Sequence, residues 1–254
     1  MEIINNLKNV LLNSEKPSEH FENLRNEKQL DEFFPELKSL INLPQNEQYH
    51  KEGDVWTHTM LVLDEAVKRR NMVKRPFGFM LSALCHDFGK AVTTEKINGV
   101  IHAYGHEIEG LPLVKSFLER FSFEQEIIDY VLNMTEFHMM PNIMAEARSK
   151  TKNTNKLFDS AVEPFDLIQL AVCDGLGKIP QKNDSEEFLM MRFSKFTEIM
   201  TRPYVMEEDL INAGITEQLD EVLAHAHKMR LAGFDKDNSL RQTIAYARKV
   251  LKIK

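Results

Sequence analysis

The sequence is poor in cysteine, glycine and proline, and it has no long apolar run. Two cysteines, Cys85 and Cys173, are too few for a disulfide framework, so both are expected to be small core residues in a reducing compartment. Ten glycines and nine prolines are too few for the many tight turns of an all-β fold. No stretch approaches the ~18 apolar residues of a membrane span, and the N-terminus lacks the apolar core of a signal peptide. We therefore expect a cytoplasmic protein with no membrane partner.

Positive charge is also in deficit, since the net charge at pH 7 is −7. Proteins that hold duplex nucleic acid are more often basic, and tight nonspecific binding depends on many phosphate contacts. RNA therefore stays a candidate partner only through a local basic groove. The sequence does not fix the oligomeric state.

Most of the chain shows the spacing of apolar residues that is typical of amphipathic or buried helices. Gly89 is expected to end one of these helices, Asn98-Gly99 is the one hairpin-like turn signal, and residues 147–156 are expected to form a basic loop. The pattern predicts an all-α fold with a metal site in its core. We expect a main domain at residues 1–180 and a short helical C-terminal extension at residues 181–254.

The strongest chemical signal is the pair His86-Asp87 in the segment CHDFGK, directly after the apolar run LSALC. A buried carboxylate costs several kcal/mol unless it is paired or binds a metal. A metal ion would satisfy both residues, since imidazole nitrogen and carboxylate oxygen suit several transition metals. The alternative is a buried salt bridge.

Other residues of ligand type lie at or near helix ends: His58, His106, His138 and Asp174. Six nitrogen and oxygen ligands exceed the needs of one closed zinc site. They match two ions that share Asp87; the alternative for His106 and His138 is a structural role as helix caps. The expected cofactor is one or two divalent ions of Fe, Mn, Ni, Co or Zn.

Several cations accompany these ligands and point to an anionic substrate. Lys90 follows the His-Asp pair by one turn and is, with Asp87, a candidate catalytic residue. Lys178 stands in the same relation to Asp174, and Arg148 and Lys152 in the basic loop are further candidates for binding the substrate phosphate.

The order of the motifs resembles that of HD-domain metal-dependent phosphohydrolases. ALCHDFGK (83–90), HAYGHEIEG (102–110), EFHMMP (136–141) and AVCDGLGK (171–178) are similar to the HD region of bacterial tRNA nucleotidyltransferases, the CCA-adding enzymes. The resemblance covers roughly residues 9 to 235. It implies an HD-domain helical bundle whose metal ligands fall on these positions: His58, His86, Asp87 and Asp174, with His106 and His138 in matching places. His50 lies in a matching stretch and is a candidate substrate contact.

The nucleotidyltransferase head of that family carries a Gly-Ser turn and an Asp-x-Asp pair, which this sequence lacks, so CCA addition is not expected. The resemblance implies a phosphatase or 2′,3′-cyclic phosphodiesterase that acts on a nucleotide or RNA-end phosphate through metal-activated hydroxide. A small phosphorylated substrate is the expected partner. Two alternatives stay open, a non-catalytic RNA-binding remnant and a di-iron oxygenase with an HD-type site. Lys90 and Lys178 favour the phosphate substrate.

Overall fold

The computed structural model of this protein describes residues 2–181 and 184–252. Helices dominate these residues and one two-stranded sheet accompanies them, so the predicted all-α class is confirmed. The elements in chain order are α1 (Glu2–Asn13), α2 (Pro17–Asn26), α3 (Leu30–Phe33), α4 (Pro35–Lys38), α5 (Val55–Val67), α6 (Pro76–Cys85), α7 (Lys90–Thr93), β1 (Glu95–Ile97), β2 (Val100–His102), α8 (His106–Glu109), α9 (Leu111–Arg120), α10 (Gln125–Phe137), α11 (Met139–Glu146), α12 (Thr151–Ser160), α13 (Pro164–Leu176), α14 (Glu186–Thr201), α15 (Glu207–Asn212), α16 (Leu219–Leu231) and α17 (Lys236–Lys249).

The chain divides into two compact units. The first comprises the described residues of 1–147 and 161–188, and the second those of 148–160 and 189–254. This grouping differs from a single boundary at residue 180, because α12 belongs with the C-terminal helices; the two-domain division at that residue stays a prediction. No helix in the described ranges combines the length and the apolar character needed to cross a bilayer.

The core of the first unit is built on α6, which packs against α5, α10 and α13. All residues of α6 from Gly78 to Cys85 are buried, and so is α13 from Asp166 to Gly175. Helices this apolar on every side belong in the interior of a domain. Their ends therefore deliver side chains directly into the core, which is where the ligand-type residues lie.

Helix starts are set by local sequence. The Asp54 side chain accepts a hydrogen bond from the backbone N–H of Thr57 and caps α5, which fixes the first turn that carries His58. Proline occupies the first turn of α6 and of α13, where its missing N–H costs no hydrogen bond.

The hairpin signal is confirmed and the role assigned to Gly89 is wrong. Asn98 and Gly99 connect β1 and β2, whose antiparallel register pairs Ile97 with Val100. Helix α6 ends at Cys85, and Gly89 has a φ of −62°, so it is not a left-handed helix terminator. A Cβ at Gly89 would lie 2.0 Å from the backbone oxygen of His106, so close backbone packing requires glycine there.

The basic loop expected at residues 147–156 is a helix from Thr151 onward. In the second unit, α12 buries Leu157 and Phe158, and the amide of Asn155 donates to the backbone oxygen of Leu231. These tertiary contacts outweigh the low apolar content of the segment. The second unit also contains an apolar core around α16 and α17.

Candidate metal centre

The six ligand-type residues all come from helix ends of the first unit. His58 lies in the first turn of α5, and His86 and Asp87 lie in the turn between α6 and α7. His106 begins α8, His138 joins α10 to α11, and Asp174 lies in the last turn of α13. None of the six is more than 5% exposed.

The Asp87 carboxylate lies at the centre of the cluster, with one oxygen facing each of two histidine pairs. Its Oδ1 is 3.1 Å from Nε2 of His106 and 3.9 Å from Nε2 of His138. Its Oδ2 is 3.3 Å from Nε2 of His86 and 3.7 Å from Nε2 of His58. A carboxylate in this position can bridge two cations.

Asp174 completes the second half of the cluster, since its Oδ1 is 3.1 Å from Nε2 of His58. The ligand atoms form two sets of three, and within each set they lie within 4.8 Å of one another. These sets are His58, His86 and Asp174 on one side and Asp87, His106 and His138 on the other. Three protein ligands per ion leave positions open for water and substrate.

Three histidines have their tautomer fixed by the backbone. The Nδ1 atoms donate to carbonyl oxygens three residues earlier: His86 to Ala83 at 2.9 Å, His106 to Ala103 at 2.9 Å and His138 to Thr135 at 2.6 Å. Because a carbonyl oxygen only accepts, each Nδ1 carries the proton. Each Nε2 therefore presents a lone pair to the cluster, as a metal-binding histidine does.

This arrangement makes acceptor atoms face one another in the absence of a cation. The Nε2 atoms of His106 and His138 are 3.3 Å apart. Nε2 of His86 is buried and has no hydrogen-bond partner. Burial, followed by the neighbouring His106 and His86, lowers the pKa of His138 to about 3, so it is neutral at pH 7. Divalent cations would satisfy these atoms, and the residues present therefore fit a metal centre.

Glu52, which the sequence did not single out, supports His58 from behind. Its Oε1 is 3.1 Å from Nδ1 of His58 and 2.6 Å from Nδ1 of His50, and its Oε2 accepts from the backbone N–H of Ile179. Burial opposes ionisation of Glu52, but the hydrogen bond from His50 and the close approach of His58 outweigh it and lower the pKa. Burial likewise opposes protonation of His58, while Asp174 and Glu52 raise its pKa, so the surroundings of His58 attract positive charge.

Two lysines neutralise the two aspartates. Nζ of Lys90 is 2.7 Å from Oδ2 of Asp87, and Nζ of Lys178 is 3.0 Å from Oδ2 of Asp174. Burial opposes ionisation of both aspartates, yet Lys90 holds the pKa of Asp87, and Lys178 that of Asp174, well below the usual range. Burial is also outweighed at Lys178, whose pKa Asp174 raises, so this lysine is charged.

A cleft with two lobes opens onto the cluster. The first lobe, of about 240 Å³, is lined by Asp87, Lys90 and His106 among others. The second lobe, of about 280 Å³, extends towards Asn142 and Glu146. Both lobes are lined by the following residues: Tyr49, His50, Met139, Asp174 and Lys178. A substrate in the cleft would therefore meet both lysines beside the ligands.

The predicted substrate contacts are only partly brought together. Lys90, Lys178 and His50 line the cleft in the first unit. Arg148 and Lys152 belong to the second unit and are not among the residues that line either lobe. Their part in binding phosphate stays a prediction.

Comparison with known proteins gives a consistent family assignment. The model of the HD domain family matches residues 55–224. Proteins named multifunctional CCA protein are similar: that of Actinobacillus pleuropneumoniae serotype 5b is 35% identical over 138 residues (54% of this chain and 33% of that protein), and that of Haemophilus influenzae strain PittGG is 34% identical over 178 residues (68% and 42%). The chain thus spans about a third to two fifths of the length of these relatives. The family match begins at the first residue of α5 and contains all six ligand-type residues.

Proposed function

The chain belongs to the HD domain family, and on that premise we propose that it is a metal-dependent phosphohydrolase, a phosphatase or 2′,3′-cyclic phosphodiesterase. One observation carries the proposal. Five buried ligand-type residues surround Asp87 and form with it two sets of three, and the cleft beside them is lined by Lys90 and Lys178. This combination suits an anionic substrate held next to divalent ions.

In this proposal each set of three residues is the binding site of one metal ion. His58, His86 and Asp174 would hold one divalent transition metal ion, and Asp87, His106 and His138 would hold a second. When bound, such ions lower the pKa of a coordinated water and withdraw charge from phosphoryl oxygens. The backbone carbonyls behind the histidines, and Glu52 behind His58, keep the rings oriented for binding.

In this proposal the two lysines bind the phosphate group of the substrate. Lys90 and Lys178 match the charges of Asp87 and Asp174, so divalent ions at the centre leave a net positive charge for a phosphate group. An ammonium group has three donors, and Lys90 can keep its contacts with Asp87 and Gln45 while it donates to a phosphoryl oxygen. His50 has its Nδ1 hydrogen-bonded to Glu52, which leaves Nε2 for the substrate.

The similarity to multifunctional CCA proteins is the reason to place the phosphate on a nucleotide or an RNA end. A small nucleotide in the cytoplasm is the proposed partner, with RNA as the larger form of the same substrate. A di-iron oxygenase would use the same ligands, and the feature that favours a phosphate ester over it is the pair of lysines, Lys90 and Lys178, in the cleft.

The proposal is tested by phosphate-ester hydrolysis after the purified protein is loaded separately with Mn²⁺, Co²⁺, Ni²⁺, Zn²⁺ or anaerobic Fe²⁺. The substrates are 2′,3′-cyclic AMP and 3′-AMP. We expect hydrolysis that depends on the ion, is reduced to the metal-free background by Asp87→Ala, and is unchanged by Asp129→Asn, which alters an exposed carboxylate on α10. No hydrolysis with any ion would overturn the proposal. Oxygen consumption that needs Fe²⁺, without phosphate release, would favour the oxygenase.

A further inference from the structure

The second unit contains a pocket of about 200 Å³ that the proposed hydrolysis does not use. One wall is a stripe of α16 at helical spacing, formed by Leu223, Ala226, His227 and Arg230. The irregular segment 203–205, between α14 and α15, and Phe234, just before α17, form most of the rest. Pockets for drug-sized molecules have about 300–1,000 Å³, so a ligand of this pocket would be smaller.

Arg230 contributes a cation that no acidic side chain neutralises. Its Nη2 donates to the backbone oxygen of Met200 at 2.6 Å, and its Cζ lies 4.4 Å from the centroid of the Tyr204 ring. These two contacts fix the position of the guanidinium group. Among the residues that the structure describes, no aspartate or glutamate forms an ion pair with Arg230. The pocket therefore has a positive charge whose position is set in advance.

The nitrogens of Arg230 differ in what they can still bind. Nε is fully covered and cannot meet a ligand. Nη2 is used by a carbonyl oxygen in the last turn of α14, which is a structural role. Nη1 is not covered, and it has no acceptor within the described part of the chain. Support of α14 thus needs only one edge of the guanidinium, and Nη1 is left as a donor to a ligand.

The remaining surface of the pocket is apolar and aromatic. Val205 and Ala226 belong to the core of the second unit, and Leu223 packs against that core. Two aromatic rings beside them are only half-buried, since Tyr204 is 49% and Phe234 is 43% exposed. An apolar group that filled the pocket would remove part of both rings from water, which is favourable. A ligand that suits the pocket therefore combines an apolar body with a negative charge.

A carboxylate matches this charge better than a phosphate does. A guanidinium nitrogen forms a short, charge-assisted hydrogen bond with a carboxylate oxygen. His227, which also lines the pocket, has its Nε2 engaged by Asp159 at 2.8 Å, so Arg230 supplies the positive charge. One charge balances one carboxylate, whereas a phosphate dianion would keep an uncompensated charge beside apolar walls, which is costly.

We propose that this pocket binds a small organic acid, a carboxylate with an aromatic or branched aliphatic body. The carboxylate accepts from Nη1 of Arg230, and the body packs against Phe234 and Leu223. The inference does not depend on the proposed hydrolysis, because every residue that it uses belongs to the second unit.

The test is an NMR titration of the full chain with 13C-labelled methyl groups. Methyl groups of Val205, Leu223 and Ala226 line the pocket and report its occupancy. The probes are 3-phenylpropionate, 3-phenylpropan-1-ol, which has the same body without the charge, and acetate, which has the charge without the body. We expect 3-phenylpropionate to shift these signals with a Kd of about 1 mM, and to bind about tenfold more tightly than either other probe.

Arg230→Met should weaken the binding of 3-phenylpropionate about tenfold and leave that of the alcohol unchanged. Arg241→Met, which alters an exposed arginine of α17, should change neither. Phe234→Ala keeps the contacts of Arg230 and should weaken the acid and the alcohol alike, about tenfold, so it tests the site even if Arg230→Met does not fold.

Three results would overturn the proposed site. In the first, 3-phenylpropionate does not bind, or binds no more tightly than the alcohol or acetate. In the second, Phe234→Ala leaves the Kd of the acid unchanged. In the third, the shifts are confined to the methyl groups of Val62 on α5, the helix that carries His58, which would place the acid at the metal centre instead.

Discussion

Gly89→Ala is a substitution at a residue with no ligand atom that should nevertheless disable half of the metal centre. Gly89 packs against the backbone of α8, and a Cβ there would lie 2.0 Å from the oxygen of His106 and 2.8 Å from Cα of Gly110. All three atoms that it would meet are backbone atoms, so no side-chain rotation can relieve the overlap. The start of α8 must move, and His106 must move with it.

The size of this movement follows from contact distances. Bringing the Cβ to an ordinary separation requires a shift of about 1.5 Å, given that non-bonded atoms pack at about 3.5 Å. Metal–ligand distances tolerate about 0.2 Å, and a displacement of about 1 Å in a reacting centre can cost about 100-fold in rate. Overpacking of this kind also costs about 1–3 kcal/mol of folding free energy.

The assay is metal content by elemental analysis, together with kcat/KM for the best substrate. We expect Gly89→Ala to lose the ion held by His106 and His138, to retain the ion held by His58, His86 and Asp174, and to lose about 100-fold in kcat/KM. Gly233→Ala is the control: Gly233 has a φ of +94° with open space around it, so alanine strains the backbone of the second unit without touching the ligands.

Two results would contradict this prediction. If Gly89→Ala kept both ions and full activity, the close packing of Gly89 would not position His106. If Gly233→Ala lost metal to the same degree, the effect would come from lowered stability and not from displacement of a ligand.

Three further predictions concern the support of the ligands, the substrate charge and the metal itself. Glu52→Gln should weaken metal affinity about 10–100-fold in a chelator-competition titration, because it removes the carboxylate behind His58, whereas the exposed Glu119→Gln should have no effect. Lys178→Met should raise KM about tenfold for a phosphate ester and keep both ions. Lys115→Met, which alters an exposed lysine, should leave KM unchanged. Loss of metal from Lys178→Met would contradict the assignment of Lys178 to the substrate. Removing the metal should lower Tm by about 5–10 °C, since an ion at 100 times its Kd contributes about 2.7 kcal/mol, and Asp87→Ala should abolish that difference.

The central helices and the ligand-type residues could be predicted from local sequence. The apolar run that forms α6 ends in His86-Asp87, and that of α13 ends in Asp174, so charge at the margin of a buried helix was visible without a structure. Local sequence did not indicate that these residues lie together at one site. That expectation came from a family resemblance, and the structure brings all six to one place because α6 packs against α5, α10 and α13.

Glu52 and Gln45 could not be identified in this way. Both lie in the polar stretch between α4 and α5, which has no periodicity and looks solvent-exposed. Their burial depends on distant partners: the backbone N–H of Ile179 for Glu52 and the ammonium group of Lys90 for Gln45. Contacts between residues 45 or more positions apart leave no local signal.

At residues 147–156 the local sequence gave a wrong prediction of secondary structure. Its polar and basic composition indicated a loop, but α12 forms because Leu157 and Phe158 are buried in the second unit and Asn155 bonds to the backbone of α16. Arg148 and Lys152 are exposed, and Lys152 lies in the helix rather than in the predicted loop.

The number of metal ions is measured by elemental analysis of the wild type beside His138→Ala and His58→Ala, each purified and reloaded with the same divalent ion. We expect about two ions per chain for the wild type and about one for each variant, because each histidine belongs to a different set of three ligand-type residues. A wild type that binds no ion would contradict the two-ion centre, and so would variants that each keep the metal content of the wild type.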